Sequence, residues 1–268
     1  MNIQHFIPLL LCRYCQVASL AIGISHGQVK PDPESPDAQR KIEAIVDGYK
    51  KFDLQAVEKV VESFLKAGTV TERAKYVRDP KRVVPLMKKH YGSEIIKAEG
   101  LEKFKKEMGS YIENLLSSYV VTEDFTEAAI VVERITGKSN TYRVDWESWV
   151  GYCEMTVEEM KKARPEDPVM VRALLKRDSY FNYVFSDDEI WDSYNLVFKG
   201  QEESLAGYAK ADSDPGKQLK EILKNDGHVP IILKISYPKN ARSPKQVEII
   251  EIISEGWLPD LLEEEEGE

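Results

Sequence analysis

One stretch constrains this chain more than any other: Tyr142-Arg143-Val144-Asp145-Trp146-Glu147-Ser148-Trp149-Val150-Gly151-Tyr152. Tyr142, Val144, Trp146 and Ser148 alternate with Arg143, Asp145, Glu147 and Trp149. That is the period-2 pattern of a strand with two different faces. The spacing predicts a strand over Tyr142 to Cys153 that packs a core and presents Asp145 and Glu147 on one face. The chain also changes character here, with amphipathic helical segments before it and short aromatic, β-branched segments after it. That order of elements implies an α+β fold.

Upstream, Leu54, Val57, Val61, Phe64 and Leu65 recur at helical spacing, with Asp53 placed as an N-cap and Gly68 past the end. Thr69-Val70-Thr71-Glu72 has the form of a capping box and predicts a short second helix. Asp79-Pro80 opens a third, with Pro85 predicting a break or a late start near Val83, and Gly92 ending it. Leu101, Phe104 and Met108 predict one more helical piece. Strands are then predicted over Tyr111 to Val121 and Ala128 to Thr136. Gly137-Lys138-Ser139-Asn140 forms a hairpin loop into the 142–153 strand.

Downstream, Met155 to Lys162 predicts a short helix, and Arg164-Pro165-Glu166-Asp167-Pro168 marks a domain boundary. Strands are predicted over Val169 to Arg177, Tyr180 to Phe185, Trp191 to Phe198 and Ser204 to Ala209. Asp214-Pro215 starts a helix carrying Leu219, Ile222 and Leu223 on one face and ending at Gly227. Val229 to Tyr237 and Val247 to Ile253 follow as two apolar strands around the Pro238–Pro244 loop. The expected organisation is residues 1–27 as leader, 28–41 as linker, 42–163 as an α+β domain, 164–258 as a β-barrel domain and 259–268 as an acidic tail.

In its element order, the region from Leu54 to Tyr152 resembles the cystatin-like cone of SnoaL-type and ketosteroid-isomerase-type proteins. In such a cone, helices close a curved antiparallel sheet around a pocket. The region after Pro168, with strands, one helix and two further strands, resembles a small OB-like barrel. The resemblance is one of order, and no catalytic residue of either family carries over to a position here. It implies a ligand pocket in the first domain and a binding face on the second.

Among 268 residues, 42% are hydrophobic, which suffices for packed cores. The formal charge is −9, and six carboxylates between Asp260 and Glu268 account for most of it. The remainder is close to neutral, which argues against broad nucleic-acid binding, because that needs basic groups to displace phosphate counterions. Phe6 to Ile24 is apolar except chiefly for Arg13, whose charge would cost about 2.5–3.5 kcal/mol at the centre of a membrane helix. A secretory signal with Tyr14–Ile24 as its apolar region and Ser25-His26-Gly27 at its cleavage site fits better, and an uncleaved anchor is the alternative. Either places the chain outside the cytoplasm, in the periplasm or secreted, or tethered to the membrane. Cys12 and Cys15 have C-x-x-C spacing inside this leader but no second pair, and Cys153 then stands alone. Val29 to Arg40, with Pro31, Pro33 and Pro36, is an extended linker.

The sequence contains no G-x-G-x-x-G, Walker loop, G-x-S-x-G or H-E-x-x-H, and beyond the leader only His90 and His228. No cofactor and no metal are implied. Asp145 is the candidate catalytic base, a carboxylate beside aromatics at the mouth of a cone. Trp146 and Trp149 are candidate pocket walls. Tyr180, Tyr183 and Trp191 are candidate stacking residues on the barrel, with Lys239, Arg242 and Lys245 as the nearby basic loop. The first expectation is a non-catalytic binding or interaction protein with a protein or small-molecule partner. A SnoaL-like enzyme acting on an apolar small molecule is the second, and an OB-type binder of oligosaccharide or nucleic acid the third.

Overall fold

The computed structural model describes residues 52–112, 114–137, 141–224 and 227–258. The leader with Cys12 and Cys15, the proline-rich linker and the acidic tail lie outside the described residues. The chain is mixed α and β, with two sheets, and it divides into two compact units between Trp149 and Val150. Among the described residues no helix is long and apolar enough to cross a membrane.

In the first unit, α1 spans Leu54–Lys66 and buries Val57, Val61, Phe64 and Leu65, the stripe its spacing predicts. Asp53 caps it by accepting from the Gln55 and Ala56 N–H groups. Helix α2 (Val70–Arg73) starts at Thr69, whose hydroxyl accepts from the Glu72 N–H. Glu72 reaches back one residue further than a capping box requires, accepting from the Gly68 N–H at 3.1 Å. Helix α3 runs unbroken over Pro80–Tyr91, through Pro85, and ends at Gly92 with φ +61°. Proline is tolerated there because both Pro85 and Lys81, whose carbonyl loses its partner, occupy exposed positions.

The four-stranded antiparallel sheet runs β1 (Lys103–Ile112), β2 (Leu115–Val121), β3 (Glu127–Arg134) and β4 (Tyr142–Val144) in sequence order. Two expectations fail here. The segment holding Leu101, Phe104 and Met108 is not helical: Lys103 onward is strand β1. The single strand predicted over Tyr111–Val121 is the end of β1 and the whole of β2, two strands that pair with each other. The pairing of β1 with β2 carries a register irregularity between Lys105 and Ser110. Cross-strand pairing with β2 overrides the local preference of the lysine-rich segment.

The 142–152 stretch does not run as one strand. Strand β4 stops at Val144, and Trp146–Val150 is a helix, α4. Asp145 makes the switch, its Oδ1 accepting the Ser148 N–H at 2.8 Å while its backbone carbonyl accepts from Trp149 N–H at 3.2 Å and from the Ser148 hydroxyl at 3.1 Å. Trp146 and Trp149, three apart, share a helix face as readily as they fit a strand pattern. Both are buried, at 1% and 5% exposure.

In the second unit, α5 (Val157–Ala163) opens with a full capping box between Thr156 and Glu159. Its Val157 and Met160 pack into the core of the barrel, so this helix belongs with the strands that follow. The Arg164–Pro168 segment leads into β5 inside this unit. Strands β5 (Val169–Asp178), β6 (Trp191–Val197), β7 (Ser204–Lys210), β8 (Val229–Ser236) and β9 (Gln246–Glu255) close in the order β5-β6-β7-β9-β8. Every pairing is antiparallel except β7 with β9. Helix α6 (Asp214–Ile222) lies between β7 and β8, with Ser213 as N-cap.

Alternate residues fill the barrel, among them Val171, Ala173, Leu175, Tyr194, Leu196, Leu205, Ile231, Leu233, Val247 and Ile249. Gly207 stands on the inner face, where a Cβ would overlap the Leu196 side chain and lie 3.2 Å from Ile249 Cδ1. Buried Arg172 ties both ends of the unit to β5, donating to the Tyr152 carbonyl at 2.9 Å and the Trp257 carbonyl at 3.3 Å. The strand predicted over Tyr180–Phe185 does not form. Residues 179–190 are a loop carrying one isolated bridge, Asn182 to Phe185, and Tyr183 adopts φ +53°. A residue in that left-handed conformation cannot continue a strand.

Candidate functional site

Two places gather the residues singled out in the sequence. In the first unit, the β4–α4 switch brings Asp145, Trp146, Glu147 and Trp149 together. The preceding Val77–Arg82 segment lies against it: Val77 bridges Val144 in parallel, and the Arg78 N–H donates to the Val144 carbonyl at 2.9 Å. This delivers two arginines. Arg78 pairs with Asp145 Oδ2 at 3.3 Å and with Glu133 Oε2 at 3.2 Å. Arg82 pairs with Asp79 at 3.2 Å and with Glu147.

Asp145 is 5% exposed, and both its oxygens are already acceptors, Oδ1 from Ser148 and Oδ2 from Arg78. The Trp146 indole N–H donates to the Tyr91 hydroxyl at 3.0 Å, and that hydroxyl also accepts from the buried Arg73 at 3.2 Å. Arg73 lies over the Phe64 ring at 5.0 Å, and Trp149 meets Phe64 edge-on at 6.1 Å. These aromatic and cationic contacts are the packing that anchors α4 to α1 and α3.

In the second unit, loop 179–190 folds onto the outer face of β6, β7 and β9. Phe185, 1% exposed, stacks on Tyr208 with ring centroids 4.1 Å apart and planes 4° from parallel, and meets Trp191 edge-on at 4.8 Å. The Tyr180 carbonyl accepts from the Ser193 hydroxyl at 3.0 Å and the Tyr208 hydroxyl at 2.9 Å. Gln246 Nε2 donates to the Tyr208 hydroxyl at 2.9 Å and the Asn182 carbonyl at 3.4 Å. Gln246 opens β9 directly after the loop bearing Lys239, Arg242 and Lys245, all exposed. Tyr237 braces that loop through a 2.7 Å hydrogen bond to the Pro244 carbonyl, and burial pushes its hydroxyl up to about 12.

The predicted stacking residues therefore occupy three different situations. Tyr180 and Tyr183 are 47% and 49% exposed at the loop surface. Trp191 is half-buried on the strand, with Lys210 Nζ 5.6 Å from its ring. Glu248, opposite Tyr208 on β9, has its carboxyl raised by burial, with Lys210 opposing that shift. Asp178, Asp187, Asp188 and Glu189 are exposed on and beside the loop.

Sequence reasoning missed Arg78 and Arg82 as the carboxylates' partners, since both lie more than sixty positions from them. It also placed Phe185 at the end of a strand over Tyr180 to Phe185. The positive φ at Tyr183 carries no sequence signal, whereas Asn182, a frequent turn former, carries a weak one. Among the described residues no group of three or more His, Cys, Asp or Glu side chains is arranged to hold a metal ion. No family model, no curated protein and no solved structure matches the chain.

Proposed function

We propose that this chain is a non-catalytic binding protein, exported or held at the membrane by its N-terminal segment. Its ligand-contacting module is the second unit, read as an OB-like barrel, and its first unit is a cone-like partner or spacer domain. The barrel reading draws support from five strands closed with one helix between the third and fourth. In barrels of that kind the face of the second and third strands, with the loops after strands one and four, takes oligosaccharides and oligonucleotides. Here those parts are β6, β7, loop 179–190 and loop 237–245.

The observation that carries the reading is the pair of half-exposed tyrosines, Tyr180 and Tyr183, presented on the loop that covers this face. Exposed tyrosines contribute an apolar ring face and a polar tip at low entropic cost, which suits ring-bearing ligands. The exposed carboxylates at Asp178, Asp187, Asp188 and Glu189 offset Lys239, Arg242 and Lys245 on the neighbouring loop, so the face lacks the basic groove that a phosphate backbone needs. The ligand class is therefore an oligosaccharide without negative charge rather than a nucleic acid. Calorimetric titration of the full chain with cellotriose, maltotriose and tri-N-acetylchitotriose, with oligo-dT as comparison, tests this. Binding of a trisaccharide that is lost in Tyr180→Ala/Tyr183→Ala supports the reading. Binding of oligo-dT alone, or trisaccharide binding indifferent to both tyrosines, overturns it.

A further inference from the structure

Loop 179–190 does more than display two tyrosines, because its underside fills the barrel face. Phe185 lies flat on Tyr208 and edge-on to Trp191, so the face already holds one planar ring in a slot of ring-stacking dimensions. Around that slot, Ser193 Oγ, Tyr208 OH and Gln246 Nε2 all donate to the loop, and they do so to the main-chain carbonyl oxygens of Tyr180 and Asn182. Those acceptors would be present whatever the loop's side chains were. The barrel thus offers a ring platform rimmed by hydrogen-bond donors, occupied by a segment of its own chain.

We propose that residues 179–190 are a releasable strap, with Phe185 standing in for a ligand ring on the β6–β7–β9 face. Ligand entry then exchanges Phe185 for a ring of the ligand, and its acceptor oxygens for the Tyr180 and Asn182 carbonyls. The inference rests on the binding reading above and adds where the ring goes and what must leave. The strap makes no strand pairing with the barrel, since its one bridge, Asn182 to Phe185, is internal. Tyr183 sits at φ +53°, a conformation uncommon for an aromatic residue and relieved on opening. The C-terminal end of the strap is fixed: the Trp191 N–H donates to the Asp187 carbonyl at 3.0 Å and the Ala211 N–H to the Ile190 carbonyl at 2.9 Å. Opening is accordingly a local lift of residues 179–186, with 187–190 as the hinge side. An incoming ring needs one apolar face for Tyr208 and peripheral oxygens that accept hydrogen bonds, which a pyranose with equatorial hydroxyls supplies.

The test is native-state thiol labelling of the full chain carrying Ser193→Cys, read peptide by peptide with iodoacetamide and mass spectrometry. Position 193 is buried beneath the strap. A lifting strap predicts labelling at 193 that is independent of urea below the unfolding transition and at least about tenfold faster than at Cys153, whose burial pushes its thiol up to about 11. Adding Phe185→Ala accelerates it further and raises affinity for whichever trisaccharide the wild type binds. In the unsubstituted chain, hydrogen exchange at the Phe185 amide, bonded to the Asn182 carbonyl at 3.0 Å, gives the same answer without a cysteine. Labelling at 193 and exchange at 185 that occur only with global unfolding overturn the strap, even if Tyr180→Ala/Tyr183→Ala abolishes trisaccharide binding and so upholds the binding function. Local lifting with no trisaccharide bound by the wild type or by Phe185→Ala overturns both the ring exchange and the function it rests on.

Discussion

Replacing Asp145 separates a structural carboxylate from a catalytic one. Asp145→Ala removes the acceptor for the Ser148 N–H at the start of α4, a cap whose loss costs about 1 kcal/mol within a range of roughly 0.5–2. It also removes one of two partners of Arg78, which stays paired to Glu133. Arg78 is partly exposed and keeps a partner, so this second loss is about 1 kcal/mol rather than the several expected for a fully buried, orphaned charge. The sum is about 2 kcal/mol. Asp145→Asn retains an oxygen to cap α4 and forfeits only the charge toward Arg78, giving about 1 kcal/mol. Hydrogen exchange resolved over peptides 54–66 and 127–134 reads the first unit separately from the barrel, whose peptides serve as the reference. Equal effects of alanine and asparagine would refute the capping argument. A loss of trisaccharide binding in either variant, with the barrel peptides unchanged, would refute the assignment of the ligand face to the second unit.

Three further outcomes follow from the barrel and its flanks. Gly207→Ala forces a methyl group against Leu196 and Ile249 and destabilises the barrel by about 1–3 kcal/mol in urea titration followed on barrel peptides; a neutral substitution contradicts the packing described. Burial raises the Glu248 carboxyl above its ordinary 4.5, so as pH rises from that value the unfolded chain releases this proton before the folded one does. Stability contributed by the protonated group is thus present below pH 4.5 and is lost as pH climbs through the raised value. Glu248→Gln should make the barrel more stable than wild type at pH 7, the difference fading toward pH 4, and a difference that grows on acidification has the wrong sign. Cys153, half-buried against the barrel core and hydrogen-bonded to the Gly151 and Arg172 carbonyls, has its thiol pushed up to about 11 and should label far more slowly than a free thiol at pH 8, with prompt labelling in the native chain contradicting its placement.

Much of the fold could be read from local chemistry. Asp53, Thr69 and the apolar stripe of α1 sit where capping and periodicity place them, and five of the six strands predicted after Pro168 are present. The failures share a cause. Residues 103–108, 145–150 and 180–185 each carry spacing compatible with two structures, and a distant partner decides between them. Pairing to β2 makes Lys103 onward a strand. The Val77–Arg82 strap and the Asp145 cap turn 146–150 into a helix. Stacking on Tyr208, 23 residues further along the chain, pulls Phe185 out of a strand and onto the barrel. The candidate site was half legible for the same reason. Tyr180 and Tyr183 stand out by residue type, but on a predicted strand that does not form, whereas the donors at Ser193, Tyr208 and Gln246 converge only once the barrel closes.

The most direct measurement of the account is amide chemical-shift mapping of the full chain titrated with cellotriose, maltotriose and tri-N-acetylchitotriose. Binding on the barrel face gives saturable shifts concentrated at residues 180–186, 191–195, 208 and 246, with α4 and the Asp145 neighbourhood silent. Shifts centred on residues 142–150, or none at the barrel face with any of the three sugars, would contradict it.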